Sequence, residues 1–372
     1  MLEKKFNLSW LQAILTFVNS GFIVVLLYHF YKKNVGLSDI FFADAIACGL
    51  NALILLFRTR IKTHRDMRIG FGILALSLVA VATIPYSKPL FYVFYIFQVL
   101  GGIAFYTPLN ILYFANPTAG TKMKTMAWYW IVGIISGIIG PLFGAVLFLN
   151  LPLYAFLILP ILIFAFGMYL VRFTENVTIA YSPIDVLTKI KRVRLIKMLD
   201  GALHRVSGDT GLFVLMLVGS LAEFSGYQSL VALMMAGVAW LMARSADKSA
   251  RRMVYLIPAA FIAGIGTIFF SFAHTLLAYG IITIIVRSSL IIAEPLRSNV
   301  MVDTIDAHPH NWISREFYLN VGRSLVQLVA AILFINDQIV AAFVIFGCLH
   351  LLFPALVYWK KIYRNPAKGL AN

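Results

Sequence analysis

Along the 372 residues, long apolar runs alternate with short polar interruptions. A bilayer core of about 30 Å needs about 20 mostly apolar helical residues to cross it. Runs of that kind fall near 8–31, 38–57, 69–86, 90–115, 126–149, 152–173, 253–272, 275–300, 316–335 and 338–359. Between the sixth and seventh of these lies 199–243, where Leu212–Leu221 and Leu230–Ala243 are each too short to span unless less apolar flanks extend them. Extending the first back to about Leu199 and starting the second near Tyr227 yields two more spans. The pattern therefore predicts an all-α polytopic membrane protein with twelve transmembrane helices. The opening run, about Phe6 to Tyr31, follows Lys4 and Lys5, is longer than a signal-peptide core and lacks a small-residue cleavage site, so it reads as the first span.

One stretch breaks the rhythm of short loops. Thr174–Met198 is polar and basic, with Lys189, Lys191, Arg192, Arg194 and Lys197. It divides the chain into a six-helix half, 1–173, a cytoplasmic connector, 174–198, and a second six-helix half, 199–372. The connector's charges also suit a surface helix meeting anionic headgroups, and both roles are compatible. A six-plus-six division is the plan of a transporter built from two repeats, with the substrate site between them near the midplane.

Composition sharpens this picture. Hydrophobic residues make up 61% of the chain and charged residues 12%, far from soluble proportions. The net charge of +16 would suggest nucleic acid in a soluble protein, but here the basic residues sit in short loops. Loops and tails assigned to one side hold Lys4, Lys5, Arg58, Arg60, Lys62, Arg65, Arg68, Lys122, Lys124, the 172–205 cluster, Arg244, Lys248, Arg251, Arg252, Lys360, Lys361, Arg364 and Lys368. The other side holds only Lys32, Lys33 and Lys88. The positive-inside rule then puts both termini in the cytoplasm, with multi-pass insertion in the cell's inner (cytoplasmic) membrane and membrane lipid, not nucleic acid, as the surroundings. Cys48 and Cys348 lie in separate apolar runs, and His308-Pro309-His310 is too small a set for a metal site. No phosphate-binding loop of the Gly-x-x-x-x-Gly-Lys-Ser/Thr kind occurs, so no cofactor is expected and transport would be facilitative or driven by an ion gradient.

The loop between spans eight and nine, Ala243-Arg244-Ser245-Ala246-Asp247-Lys248-Ser249-Ala250-Arg251-Arg252, resembles the signature of the major facilitator superfamily. It keeps Asp247, Lys248, Arg251 and Arg252 but has Ala243 and Ala250 where the family favours glycine. The loop between spans two and three, Arg58 to Arg68, lacks an aspartate at the expected place. Span five carries Gly133, Gly137, Gly140-Pro141 and Gly144-Ala145, similar to a family element associated with exporters. Small residues there permit close packing, and Pro141 bends the helix. At the start of span eleven, Arg315-Glu316-Phe317-Tyr318-Leu319-Asn320-Val321-Gly322-Arg323 looks like a pattern of bacterial members, with Glu316, Asn320 and Arg323 on one helix face. The resemblance implies gating roles for Asp247, Lys248, Arg251, Arg252, Glu316 and Arg323, with the carboxylate of Asp247 pairing with guanidinium groups to hold the cytoplasmic side shut.

A charge inside a span is costly, so each marks a candidate site. Asp44 lies in span two and could load and release a proton as water access changes, unless the helix begins later and leaves it wet. Arg287, in mid-span ten, must face the bundle, either as a lock with an acid such as Asp209 or Glu223, or as a substrate contact. In span seven, Asp200/His204 and Arg205/Asp209 are each one helical turn apart and suit local ion pairs, while Gly208 and Gly211 could loosen the helix. Glu294, next to Pro295, completes the acidic set, and Asn19, Gln98 and Asn110 suit either a cavity wall or interhelical hydrogen bonds. The function expected is secondary active transport of a small organic solute by alternating access, as proton-coupled efflux. A nutrient importer for a sugar, carboxylate or nucleoside is the alternative, ahead of a transporter-like receptor or an integral-membrane enzyme. The intramembrane charges are scattered among helices, which suits a cavity better than a reaction centre.

Overall fold

Lipid offers no hydrogen-bond partner to a peptide group, so a chain this apolar satisfies its backbone inside helices. The computed structural model describes residues 2–114, 122–243, 252–304 and 308–362. Among the described residues, ten helices are long and apolar enough to cross a membrane, from Leu8–Lys32 to Ile339–Trp359. In chain order the first part comprises α1 (Leu2–Val18), a π-helical turn (Asn19–Ile23), α2 (Val24–Lys32), α3 (Leu37–Phe57), α4 (Thr63–Thr83), α5 (Lys88–Phe114), α6 (Lys122–Asn150) and α7 (Leu153–Leu170). After a short helix α8 (Pro183–Thr188) come α9 (Arg194–Asp209), α10 (Leu221–Ala243), α11 (Arg252–Phe269), α12 (Leu276–Thr304), α13 (Pro309–Ile335) and α14 (Ile339–Trp359).

Two boundaries differ from the sequence reading. The helix expected near Leu199 begins at Arg194, because Lys197 and Asp200 are turned inward and paired instead of ending the helix in water. The helix expected near Tyr227 begins at Leu221, with Glu223 in its first turn accepting from the Gly219 amide at 2.8 Å. Between them the chain breaks as the glycines suggest: α9 stops at Asp209 and a 3-10 turn, Phe213–Met216, follows. Phe213 fixes that turn in the core, with ring centres 5.7 Å from Phe41, 5.3 Å from Phe334 and 4.8 Å from Phe343.

Packing follows the small residues. α6 lies against both the first helix and α10, while α13 lies against α3 and α9. A Cβ added at Gly144 would strike the Gly21 carbonyl, and one at Gly21 would lie 2.8 Å from the Gly140 carbonyl oxygen. Likewise a Cβ at Gly201 of α9 would strike the Leu319 carbonyl of α13, and one at Gly322 the Met198 carbonyl. α6 runs through Pro141 as one continuous helix, so close approach is what its glycines visibly provide.

The stretch between α7 and α9 is tied down on two sides. Residues Arg60–Lys62 (β1) pair antiparallel with Thr178–Ala180 (β2), with Ile61 opposite Ile179. Thr63 donates to the Glu175 carbonyl at 2.8 Å. On the other side, Ser314 and Tyr318 of α13 donate to the carbonyls of Val186 (2.6 Å) and Leu187 (2.9 Å), and His310 donates to that of Ala180 (2.7 Å). Ser182 caps α8 reciprocally with Asp185, and its hydroxyl and amide hold the Asp185 carboxyl below the usual carboxylate range.

Two predictions follow from this packing. Gly144→Ala is expected to force α6 off the first helix and cost roughly 1–3 kcal/mol, read as a lower unfolding temperature of the full chain in detergent. Gly237→Ala, whose added Cβ meets nothing within 4 Å, is the neutral control. Because the Asp185 carboxyl is depressed in the fold, its capping contribution is complete above the ordinary carboxylate range and fades as pH falls through the lowered value. Ser182→Ala is expected to cost about 1 kcal/mol of local helix stability, seen as faster amide exchange across 184–188 at neutral pH, and the wild type should lose the same protection only in acid.

Candidate functional site

A cavity of about 470 Å³ lies between the helices that precede the connector and those that follow it. Gln12, Thr16, Asn19, Ile23 and Leu27 line it from the first helix, at steps of three or four residues that keep one face inward. Tyr95, Gln98, Gly102, Tyr106 and Asn110 line it from α5 on the same periodicity. This wall is polar but uncharged. The Gln98 amide donates to Ser77 Oγ at 2.6 Å and to the Leu74 carbonyl at 3.3 Å, which aims its buried Oε1, without a partner among the described residues, elsewhere.

The facing wall is charged. It is built from Asp200, His204 and Arg205 of α9, Glu294 and Arg297 of α12, and Trp312, Arg315, Glu316, Leu319 and Arg323 of α13. Asp200 accepts from Lys197 Nζ at 3.0 Å and Arg297 Nε at 3.1 Å, and Arg297 also lies 3.8 Å from Glu294. Glu316 lies 2.5 Å from Arg315 and 4.0 Å from Arg323, and its Oε1 is 3.5 Å from Asn110 Nδ2 on the opposite wall. Arg205 reaches out of α9 to Asp44 of α3 at 3.0 Å. Burying this many charges is tolerable only because each carboxylate here has a cation beside it.

No family model matches the chain, and no curated protein matches it by sequence. Solved structures do match in shape. A POT family transporter in complex with a thioalcohol-conjugated peptide superposes with a TM-score of 0.67 at 11% identity, covering 96% of each chain. A POT family transporter in complex with 5-aminolevulinic acid gives 0.65 at 11% identity, over 99% of this chain and 96% of that one. The human organic anion transporter MFSD10 (TETRAN) gives 0.64 at 14% identity, over 95% and 98%.

The chain has the major facilitator fold.

Within the major facilitator fold the candidates from sequence divide. Asn19, Gln98, Asn110 and Glu294 line the cavity. Glu316 and Arg323, expected at a gate, line it too, because α13 presents their face inward next to Asn110. Asp44 is not in the lining: it is buried behind Arg205 as that residue's counter-ion. Asp209 is buried against Gln327 Nε2 at 2.5 Å and has no cation within 4.0 Å among the described residues. The Arg287–Asp209 pair expected from sequence does not form. Arg287 instead lies at the broken end of α9, 3.4 Å from the Gly208 carbonyl, and is not among the residues that line the cavity. Nor do the one-turn pairs Asp200/His204 and Arg205/Asp209 form: Asp200 pairs with Lys197 a turn earlier and with Arg297 of α12, and Arg205 turns to Asp44 of α3. Glu223 is exposed at the start of α10, also outside the cavity. Gly137 faces Ala232 of α10, at 3.2 Å from an added Cβ, while Gly140 and Gly144 meet the first helix. Asp247, Lys248 and Arg251 lie outside the described residues, and Arg252 enters only as the first backbone position of α11.

Sequence reasoning missed Arg297 and Arg315 as cavity residues. Both sit at the ends of apolar runs, where basic residues normally mark the interface. A legible signal existed for Arg315, which shares a five-residue window with Trp312 and Glu316 and stacks 5.0 Å from the Trp312 ring.

Replacing Asp44 alone with Leu is expected to strand the Arg205 guanidinium and cost roughly 3 kcal/mol. The double change Asp44→Leu with Arg205→Leu should regain most of that loss. Thermal unfolding of both singles and the double in one detergent reads the coupling, and strictly additive losses would show that the pair does not hold α3 to α9.

Proposed function

We propose that the protein is a secondary transporter that moves a small organic solute across the membrane by alternating access between two six-helix halves, residues 1–173 and 199–372. In this reading α9 with its 3-10 turn is the seventh span and α10 the eighth, giving twelve, and both termini are cytoplasmic. The observation that carries the reading is the cavity, whose two walls come from opposite sides of the connector and differ in chemistry, neutral before it and charged after it. Recurrent packing supports the two-repeat plan. The first and fifth helices of one half touch through Gly21, Gly140 and Gly144, and those of the other touch through Gly201 and Gly322. The solved neighbours, described as in complex with a thioalcohol-conjugated peptide or 5-aminolevulinic acid and as an organic anion transporter, favour a small organic solute.

Proton coupling is proposed through Asp209. Asp44, Asp200, Glu294 and Glu316 each have an Arg or Lys within 4.0 Å, whereas Asp209 has an amide. Arg205 on its own helix, Asp44 on α3 and Arg287 on α12 are the charged groups around it. Of these carboxylates, the one with no cation in contact is the one for which taking up a proton gains most. It stands where α9 breaks, so proton and backbone change can be linked there. Efflux is the direction proposed, on the glycine-rich α6 that resembles the exporter element.

The test uses the full chain in proteoliposomes with an imposed pH gradient and a panel of labelled small solutes. Wild type should concentrate at least one solute against the proton flow. Asp209→Asn should abolish gradient-driven movement yet retain solute exchange at zero gradient. Equal flux with and without the gradient would remove the coupling, and an Asp209→Asn protein still driven by protons would move the coupling site elsewhere.

A further inference from the structure

We infer that the transported solute is a small organic anion whose carboxylate or phosphate group binds at Arg323 and Arg315. This rests on the transport reading above and adds the substrate class. Around the cavity, five cationic side chains, Lys197, Arg205, Arg297, Arg315 and Arg323, meet four carboxylates, Asp44, Asp200, Glu294 and Glu316. Lys197 and Arg297 are answered by Asp200 and Glu294, and Arg205 by Asp44. That leaves Glu316 alone to serve two guanidinium groups.

Glu316 sits 2.5 Å from Arg315 but 4.0 Å from Arg323, so Arg323 is the one left short. Its other contact is the neutral amide oxygen of Asn320 at 3.3 Å, and its Nε is enclosed without a partner among the described residues. The Nε of Arg315 is in the same condition. A guanidinium cannot shed its charge to relieve this, and its planar fork matches a carboxylate or phosphate in two hydrogen bonds. Across the cavity the wall supplies no charge to compete: its polar groups are amides and hydroxyls set among aliphatic side chains such as Ile23 and Leu27, with Gln98 Oε1 free to accept. The site therefore asks for an anionic head at α13 and a hydroxyl or amine donor toward α5. The cavity, at about 470 Å³, holds a compound of a few to some tens of heavy atoms and excludes a macromolecule.

The experiment measures binding and movement separately on the full chain. Unfolding temperature in detergent at constant ionic strength is followed while succinate, benzoate, glycerol 3-phosphate, inorganic phosphate, chloride, glucose or choline is raised in concentration. In parallel, counterflow of the same labelled compounds is measured in proteoliposomes. A saturable stabilisation by organic anions, absent for glucose and choline, is expected, and the carboxylate and phosphate-ester arms identify the headgroup. Arg323→Gln should weaken it about tenfold or more, the loss of a charge-assisted hydrogen bond. Arg323→Lys, which keeps the charge without the fork, should weaken it less. Glu316→Gln should strengthen it, because two guanidinium groups then await the ligand, and this variant serves if Arg323→Gln does not fold. Saturable binding of glucose or choline in place of the anions, binding of chloride or inorganic phosphate alone, stabilisation by no probe, or anion affinity unchanged in both Arg323→Gln and Glu316→Gln would each overturn the inference. If anions bind with the expected variant pattern but none undergoes counterflow, the anion site stands and the transport reading falls. If counterflow carries only neutral or cationic compounds, transport stands and the anion assignment falls.

Discussion

A charge in an apolar interior has to be answered on the spot, since neither water nor salt reaches it to do so. Much of this fold can be traced to that demand. α9 carries Lys197, Asp200, His204, Arg205 and Asp209 within one helix, too many for a segment that faces lipid. It is therefore held inside by neighbours that complete its charges: Arg297 from α12, Asp44 from α3 and the Gln327 amide from α13. The polar cavity is the space such an arrangement leaves against the neutral faces of the first helix and α5.

Bringing charged helices that close needs room at the backbone. Gly201 and Gly322 supply it where α9 crosses α13, each lying against a carbonyl where a side chain would not fit. The π-helical turn at Asn19–Ile23 has a related effect, placing Gly21 against α6 while Asn19 and Ile23 face the cavity. Close packing and site geometry are thus set by the same few positions, with small side chains replacing the solvent-driven packing that membranes lack.

How much of this could be read from the sequence depended on how local the cause was. Ten spans were legible because each is an apolar run of sufficient length. Asn19, Gln98, Asn110 and Glu294 were legible as wall residues because a polar group in such a run needs a reason. α9 was misplaced at its start because its charges lower any local measure of hydrophobicity, and only distant partners explain their burial. Arg205 was assigned to Asp209 on spacing, yet the helix face that carries it looks toward α3. The β1–β2 pairing had no local signal at all, being three residues on each side joined across more than a hundred positions.

In the alternating-access reading proposed above, the distribution of ion pairs sets how freely the two sides of the cavity can part. Lys197, Arg297, Arg315 and Arg323 all find their carboxylates on α9, α12 or α13, so these networks are confined to one side of the cavity. Among the described residues, Asp44–Arg205 is the one ion pair joining an element before the connector to one after it. The rotation of one side against the other which that reading requires would leave nearly all of these ion pairs undisturbed. The electrostatic work of such a motion would fall on that single contact, making the balance between arrangements adjustable by whatever charge enters beside Arg205.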